Sequence, residues 1–267
     1  MESSRLKNII ILTLALVNVF LLGTLAVRQG ETLQGQRRTT EGLIALFAAD
    51  GVTLEEDAVS FAAPPVGRTL NRNLQAEQTM AAFFLGEDMT VSDEGGGINT
   101  GLSDLGQAMF RASGSFEIVG HLGRDPDSLL RQFCKEYGYG DPTPALDASG
   151  SGTVSAPALY EDYPVVDCAV EFLVEQNELR SVSGIYLPTD SLPMEESGAL
   201  SCATALSAFL EARRSSGAVV TSVTGAYPCY ALQSSAAAAM TLVPSWCILT
   251  DTVNYYVNCS TAAVTHD

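Results

Sequence analysis

The sequence of 267 residues is poor in lysine, histidine and tryptophan. Its two lysines are Lys7 and Lys135, its two histidines are His121 and His266, and its one tryptophan is Trp246. With 31 acidic and 14 basic residues, the formal net charge is −17. Nucleic acids and anionic membrane surfaces bind to clustered Lys and Arg, so the composition argues against both as partners.

The sequence also lacks the short motifs that mark common enzyme sites. It contains no G-x-S-x-G, no P-loop and no G-x-G-x-x-G. Gly95–Gly97 lies between two predicted strands without a following Lys, and we interpret it as a flexible hairpin tip. Neither histidine has a candidate partner nearby in the sequence. The sequence therefore predicts no catalytic residue, no cofactor and no enzymatic activity.

Metal sites are not predicted either. No cysteines form a C-x-x-C pair and no histidine lies near them, so zinc binding is not favoured. If the domain is extracytoplasmic, disulfides remain open, but we favour free thiols packed as small apolar groups. The acidic pairs Glu87-Asp88, Asp93-Glu94 and Glu195-Glu196 do not have the spacing of a calcium loop and are interpreted as surface loops. The six cysteines are Cys134, Cys168, Cys202, Cys229, Cys247 and Cys259.

The most informative feature that is present is an apolar stretch from Asn8 to Val27 without a charged side chain. A helix of about 20 residues spans roughly 30 Å, the thickness of the hydrocarbon core of a bilayer. We predict a short tail over residues 1–8, a transmembrane helix over 9–27 and a stalk over 28–38. A cleaved signal peptide is the alternative, but the apolar core is too long and Gly23–Ala26 is a poor cleavage site. A buried helix of a soluble protein is less favoured, since no polar face exists.

The orientation of this anchor follows from weaker signals. Arg and Lys residues flank the helix on both sides, so their count does not decide the matter. The short N-terminal tail and the acidic remainder favour a cytoplasmic N-terminus and an extracytoplasmic domain in a single-pass cell-membrane protein. Asn18 lies near the middle of the helix. It is either a tolerated polar residue or a hydrogen-bonding contact with a partner transmembrane helix, worth about 1 kcal/mol.

The soluble part alternates between helical and strand-like patterns. Helices are predicted over Thr39–Phe47, Gln75–Leu85 and Leu200–Ser215, and another begins at Asp125-Pro126, with Asp125 as its cap. The predicted strands cover Val52–Ala62, Arg68–Leu74, Met89–Ser92, Gly97–Leu102, Gln107–Ala112, Ser115–Gly120, Val165–Val174, Leu179–Leu187, Val219–Thr224, Cys229–Gln233, Trp246–Thr250 and Val253–Cys259.

These elements predict an α+β fold in which each half reads as helix, hairpin, helix and four short strands. We interpret the pattern as two tandem repeats, each an antiparallel sheet with helices on one face. The first repeat covers residues 39–122 and the second 123–263, with a Pro/Gly/Ser-rich loop over 141–158. His266 is expected to be disordered at the C-terminus.

Aromatic residues cluster near the C-terminus and have two interpretations. They pack a sheet in the core, or they form a partner-binding edge, since aromatic side chains are effective interface anchors. On the second interpretation Trp246, Tyr255 and Tyr256 are candidate partner contacts, together with Asn18 in the membrane. The cluster consists of Tyr227, Tyr230, Trp246, Tyr255 and Tyr256.

Both ends of the chain resemble YycI-type proteins. The N-terminal SSRLKNIIILTLALVNVFLL is similar to that family's opening, a short basic tail before an apolar helix with a polar Asn or Asp. The C-terminal LVPSWCILTDTVNYYVNCSTAAV resembles its closing hairpin, with Leu242, Pro244 and Trp246 on one strand, a Thr250-Asp251 turn, and Tyr255–Asn258. The six cysteines and the acidic surface depart from the family, and residues 52–115 match only in pattern.

The resemblance implies a function without catalysis. YycI and YycH proteins carry one transmembrane helix and an extracytoplasmic domain of α+β repeats, which are similar to PepSY domains. They associate with the sensor histidine kinase of a cell-wall-controlling two-component system in Gram-positive bacteria and modulate it. We therefore expect a bitopic regulator whose partners are the lipid bilayer and a sensor kinase, without a small-molecule cofactor. The alternative is a tethered PepSY-like module that binds peptides or inhibits a peptidase.

Overall fold

The computed structural model describes residues 33–124, 126–194, 200–235 and 238–266. Within these ranges, no helix has both the length and the apolar character needed to cross a membrane. The predicted transmembrane helix over residues 9–27 lies outside them, as do Asn18, Asp125 and Glu195-Glu196.

The described residues contain four α-helices, and local sequence signals explain several of their ends. Asn73 precedes α2 and its side-chain oxygen accepts a hydrogen bond from the Ala76 N–H at 3.1 Å, while Ser201 caps α4 by accepting from the Thr204 N–H at 3.3 Å. Gly217 follows α4 in the left-handed conformation, which favours glycine. The helices are α1 (33–49), α2 (Leu74–Leu85), α3 (Asp127–Tyr137) and α4 (Cys202–Ser216), with a 3₁₀ helix at Glu56–Ala58.

In the part of the chain that the structure describes, fifteen strands form one mixed sheet. The strands are β1 (Thr53–Leu54), β2 (Arg68–Leu70), β3 (Thr90–Gly95), β4 (Ile98–Ser103), β5 (Gly106–Arg111), β6 (Ser115–Arg124), β7 (Thr143–Leu146), β8 (Gly152–Tyr160), β9 (Tyr163–Glu175), β10 (Glu178–Ile185), β11 (Ser191–Pro193), β12 (Ser222–Ser235), β13 (Ala238–Thr250), β14 (Tyr255–Asn258) and β15 (Val264–His266). The main path runs β11-β2-β13-β12-β9-β10-β6-β5-β4-β3. From it branch β1 on β12, β14 and β15 on β13, and β8 and β7 on β9.

One parallel contact joins the strands β11-β2-β13-β12 to the strands β9-β10-β6-β5-β4-β3. Strand β12 lies beside β9, with Tyr230 opposite Val165 and Ala231 opposite Val166. The pairing of β1 with β12 is also parallel, whereas all other pairings of the named strands are antiparallel. The sheet is therefore continuous from the short strand β11 to the outer strand β3.

The larger buried cluster lies between the middle of the sheet and helices α2 and α3. Phe133 on α3 is fully buried and lies at its centre. Its ring centroid is 5.0 Å from that of Phe84 on α2 and 5.8 Å from that of Phe172 on β9. Each large aromatic side chain removes about 150–250 Å² from water, so these contacts fix both helices on one face of the sheet.

A second buried cluster joins α1 to the C-terminal part of the chain. Phe47 on α1 and Phe209 on α4 are both fully buried, and their rings stack with centroids 6.2 Å apart. Trp246 and Ile248 on β13 complete the cluster from the sheet. The N-terminal helix therefore packs with elements that follow it by more than 150 residues.

The α+β fold is confirmed, and most predicted elements are present. Helix α2 agrees with the predicted Gln75–Leu85 to one residue, and α4 with Leu200–Ser215 to within two. The hairpin of β9 and β10 turns at Gln176 and Asn177, both with positive φ. Helix α1 is longer than expected, because residues 33–38 of the predicted stalk are also helical. All six cysteines are free and buried, as favoured from the sequence.

Three local predictions are wrong. The predicted loop 141–158 contains β7 and most of β8, because Val154, Ala156 and Ala158 alternate inward although two of them are only alanine. The predicted strand Val52–Ala62 shortens to β1 and the 3₁₀ helix. His266 belongs to β15 rather than to a disordered end.

Each of three stretches of the chain contains a helix followed by four strands in sequence. These are α2 with β3–β6, α3 with β7–β10, and α4 with β12–β15, while α1 and the short strands β1, β2 and β11 fall outside the pattern. Strand β6 ends at Arg124, so the predicted boundary at residue 122 falls within a strand. The division into two tandem repeats stays a prediction.

Candidate functional site

Two of the predicted partner contacts lie in the second buried cluster. Trp246 is fully buried, and its indole N–H donates a hydrogen bond to the Leu200 carbonyl at 2.7 Å. Tyr255 is 7% exposed and packs edge-on against Phe209, with centroids 4.8 Å apart. Both side chains stabilise the contact between α4 and the sheet. Partner contacts through them, and through Asn18 outside the described residues, stay predictions.

Tyr256 lies on the opposite face of the sheet from Tyr255. Tyr227 is opposite Cys247 across β12 and β13, and Cys247 is opposite Tyr256 across β13 and β14. Residues directly opposite each other share a face, so the two tyrosines flank a buried cysteine. Tyr227 is 39% exposed and Tyr256 is half-buried. The C-terminal aromatic residues therefore divide between a buried face and a partly open face.

An open hollow lies elsewhere, at the C-terminal end of α3. It is a groove of about 550 Å³, within the range of small-molecule and peptide-side-chain sites. The C-terminal end of α3, helix α2 and the ends of β8 and β10 meet there. We call it the tyrosine groove; it is lined by Ala76, Thr79, Lys135, Glu136, Tyr137, Gly138, Leu159, Tyr160, Glu161, Tyr186, Leu187 and Thr189.

Local structure places the three tyrosines of this groove. Gly138 ends α3 in the left-handed conformation, so the chain turns immediately after Tyr137. The Tyr137 hydroxyl donates to the Thr79 carbonyl at 3.3 Å, which links α3 to α2. Tyr160 ends β8, and its ring packs edge-on against Tyr230 at 6.0 Å. Tyr186 follows β10 and is 7% exposed.

Burial keeps two phenols of the groove in their protonated form. Burial raises the pKa of Tyr137 to about 12, with a smaller contribution from Glu136. Burial also raises the pKa of Tyr186, and Glu77 adds to the effect. These phenols therefore stay protonated near neutral pH and act as hydrogen-bond donors.

Burial also disfavours reactions in which a cysteine acts as a nucleophile. Burial raises the pKa of Cys134, Cys168 and Cys259 to about 11, and it also raises the pKa of Cys202 and Cys229. The thiolate is the reactive form of cysteine, so these buried thiols are weak nucleophiles near neutral pH. Within the described ranges, no three His, Cys, Asp or Glu side chains are arranged to hold a metal ion.

His121 has charged partners that are distant in the sequence. Its Nδ1 atom lies 2.9 Å from Glu178 Oε1 and 2.6 Å from a guanidinium nitrogen of Arg180. The hydrogen bond with His121 lowers the pKa of Glu178, and Arg180 and Arg124 contribute. The imidazole is 69% exposed. This cluster is a surface network across β6 and β10 that the sequence spacing could not indicate.

The tyrosine groove was also missed from the sequence. Its tyrosines are separated by more than 20 residues each, and no periodic pattern connects them. Tyr137 follows the apolar stripe of a helix, and Tyr160 lies two residues beyond the stretch 141–158 that is predicted to be a loop. Only the antiparallel pairing of β8, β9 and β10 brings them together.

Comparisons with known proteins give fold-level likenesses alone. No family model matches the sequence, and no curated protein matches it. The crystal structure of an uncharacterized protein from Eubacterium rectale ATCC 33656 is similar with a TM-score of 0.43 and 10% identity, over 80% of this chain and 85% of that one. The Bacillus megaterium YpeB C-terminal domain gives a TM-score of 0.36 and 10% identity, over 74% of this chain and 98% of that one. Likenesses of this size carry no functional argument, and the resemblance to YycI-type proteins rests on the sequence.

Proposed function

We propose that the protein is a non-catalytic, membrane-anchored regulator that binds a sensor histidine kinase of a two-component system and modulates it. The transmembrane helix over residues 9–27 and the extracytoplasmic domain, read as tandem YycI-like and PepSY-like repeats, form the two contacts. The observation that carries the proposal is the position of the apolar stretch Asn8–Val27, which precedes a helix built into the core of the domain.

The packing of α1 supports a regulator more than a passive tether. Residue 33 is already helical and follows Val27 by six positions. Further along α1, Phe47 stacks on Phe209, and beyond its end Asp50 accepts a hydrogen bond from the Arg214 guanidinium at 2.9 Å. This bond to Arg214 lowers the pKa of Asp50. A displacement of α1 would therefore be transmitted directly to α4 through these contacts.

The test of this function is a kinase assay in a membrane. The full-length chain and the purified sensor kinase are reconstituted together in proteoliposomes, and the rate of kinase autophosphorylation is measured. We expect the rate to change when the chain is present and the change to shrink for Asn18→Leu, because that variant removes the one amide near the middle of the predicted span. An unchanged rate with the wild-type chain would contradict the proposal.

The tyrosine groove favours a second candidate, a tethered module that binds peptides or inhibits a peptidase. The supporting observation is Tyr186, whose side chain is buried and lines a groove of about 550 Å³. Capture of peptides from a random library by the full-length protein tests this candidate. Loss of capture in Tyr186→Phe would support binding in the groove, and equal capture by both proteins would argue against it.

A further inference from the structure

The outer strand β3 is the longest unpaired edge of the described sheet. It pairs with β4 alone, and all six of its residues are exposed. The other outer strands are less suited to pairing: β11 and β15 have three residues each, and β7 contains Pro144, which lacks an N–H. An exposed edge without proline presents a row of backbone donors and acceptors that an extended chain can match.

The charge on this edge is of one sign. Residues 87–95 contain the carboxylates Glu87, Asp88, Asp93 and Glu94 and no Lys or Arg. Within β3, Asp93 accepts a hydrogen bond from the Gly95 N–H at 2.8 Å and Glu94 accepts one from the Thr100 hydroxyl at 3.1 Å. These bonds hold both carboxylates next to the edge without neutralising them.

An apolar contact accompanies the charge. Val91 on β3 is 41% exposed and Leu74 at the start of α2 is 48% exposed. Both line one shallow hollow on the helix side of the sheet. A strand added beside β3 would place alternate side chains on this side, where apolar groups would cover Val91 and Leu74.

We infer that β3 is a docking edge for an extended segment of a partner protein in which basic and apolar residues alternate. Such a strand extends the sheet by backbone hydrogen bonds, places its basic side chains on the face of Glu94, which bonds to Thr100, and packs its apolar side chains on the opposite face against Val91 and Leu74. This inference rests on the proposed function, because the edge would be the contact of the extracytoplasmic domain with its partner.

Charge selects this occupant over a second copy of the same chain. Pairing of two β3 edges would place Asp93 and Glu94 of each copy beside the same carboxylates of the other. Like charges across a strand pair are destabilising, and the net charge of −17 opposes association further. A basic strand is attracted by the carboxylates of β3, whereas a second copy of β3 is repelled by them. The edge therefore favours a basic partner segment over self-association.

The test uses three labelled synthetic peptides with the full-length protein in an uncharged detergent. One peptide is a Lys-Val alternation of seven residues, the second is the matching Glu-Val alternation, and the third is the Lys-Val peptide with N-methyl groups on alternate backbone nitrogens. Fluorescence anisotropy measures each Kd. We expect the Lys-Val peptide to bind about tenfold or more tightly than the other two, since it alone has both the charge and the free N–H groups.

Two double variants of the protein complete the test. In D93N/E94Q the side chains keep their shape and acceptor oxygens but lose both charges, and we expect Lys-Val binding to weaken about fivefold or more. In E55Q/E56Q the same charges are lost at exposed positions beside and within the 3₁₀ helix near β12, and binding should not change.

The outcomes separate this inference from the proposed function. Equal binding of the N-methylated and parent peptides, equal binding of the Glu-Val peptide, equal weakening by both double variants, or no peptide binding would each overturn the docking edge. The kinase assay in proteoliposomes decides the proposed function independently. A chain that changes kinase autophosphorylation but does not discriminate among the peptides overturns the edge alone.

Discussion

Arg72 and Glu77 form a bidentate ion pair at the start of α2. The Arg72 Nε atom donates to Glu77 Oε1 at 2.7 Å, and a terminal nitrogen donates to Oε2 at 2.9 Å. The remaining terminal nitrogen donates to the Gly97 carbonyl at 2.7 Å, in the turn between β3 and β4. One guanidinium thus connects the helix to the hairpin that carries the proposed docking edge. The Glu77 side chain is only 5% exposed, so the pair is largely removed from water.

Replacing Glu77 by Gln should destabilise the protein by about 3 kcal/mol, because a partly buried guanidinium loses its counter-charge. Guanidinium chloride unfolding followed by circular dichroism measures the change. The matched control is Asp127→Asn, which removes the exposed pair with Arg131 and should cost about 0.5 kcal/mol or less. Equal costs for the two variants would contradict the burial of the Arg72–Glu77 pair.

The single tryptophan provides an optical test of the second buried cluster. Because Trp246 is fully buried with its N–H bonded to Leu200, its fluorescence in the native protein should be shifted to the blue and poorly quenched by acrylamide. Unfolding should shift the emission to the red and raise quenching severalfold. Efficient quenching in the native protein would show that Trp246 reaches solvent.

Truncating the same residue should be costly. Trp246→Phe leaves a cavity and an unpaired Leu200 carbonyl, and the loss should be about 2–4 kcal/mol. Chemical unfolding measured by tyrosine fluorescence or circular dichroism gives the value. Tyr256→Phe, on the partly open face of the same hairpin, should cost clearly less. A larger loss for Tyr256→Phe would contradict the division of the aromatic residues between two faces.

The six buried thiols should be unreactive in the native protein. Burial of all six, together with the raised pKa of Cys134, Cys168, Cys202, Cys229 and Cys259, predicts negligible labelling by a maleimide reagent at pH 7, and labelling of all six after denaturation without a reductant. Mass spectrometry counts the added groups. Fewer than six groups after denaturation would indicate disulfides, and rapid native labelling would indicate an exposed thiolate.

Asp251 predicts a defined pH dependence of stability. Its carboxylate accepts hydrogen bonds from the Thr221 hydroxyl and from the backbone N–H groups of Thr221 and Ser222, and these bonds lower its pKa, the Thr221 hydroxyl most. A lowered folded-state pKa stabilises the protein above the unfolded value of about 4. This contribution is lost as the pH falls through the folded value.

The melting temperatures of the wild type and Asp251→Asn test this prediction. The difference in melting temperature between the wild type and Asp251→Asn should be largest at pH 7 and should decrease progressively below about pH 4. Glu55→Gln, at an exposed position on the same half of the molecule, serves as the control and should show no comparable trend. A gap that stays constant down to pH 3 would contradict the stabilising role of the ionised carboxylate.

Local signals in the sequence were sufficient for much of the fold. The helical patterns over Gln75–Leu85 and Leu200–Ser215 gave helix ends that the structure reproduces to within two residues. The stretch 141–158 failed because its inward side chains are mostly alanine, and Pro157 lies beside a bulge where a strand tolerates proline. The alternation of inward and outward side chains in β8 was therefore not recognisable from its composition.

The features that could not be predicted from the sequence depend on contacts between residues far apart in the chain. The packing of Phe47 on Phe209 joins residues 162 positions apart, and the parallel contact of Tyr230 with Val165 joins the two halves of the sheet. Both depend on the path of the whole chain rather than on a local pattern. The tyrosine groove and the His121 network have the same origin.

The most direct measurement is affinity purification of the full-length protein from gently crosslinked native membranes, followed by mass spectrometry. A chain that lacks Met1–Val27, exported by a cleaved signal, is the control. The proposed regulator predicts recovery of a sensor histidine kinase with the anchored chain and much less or none with the control. Recovery of peptides or a peptidase with both chains, without a sensor kinase, would contradict it.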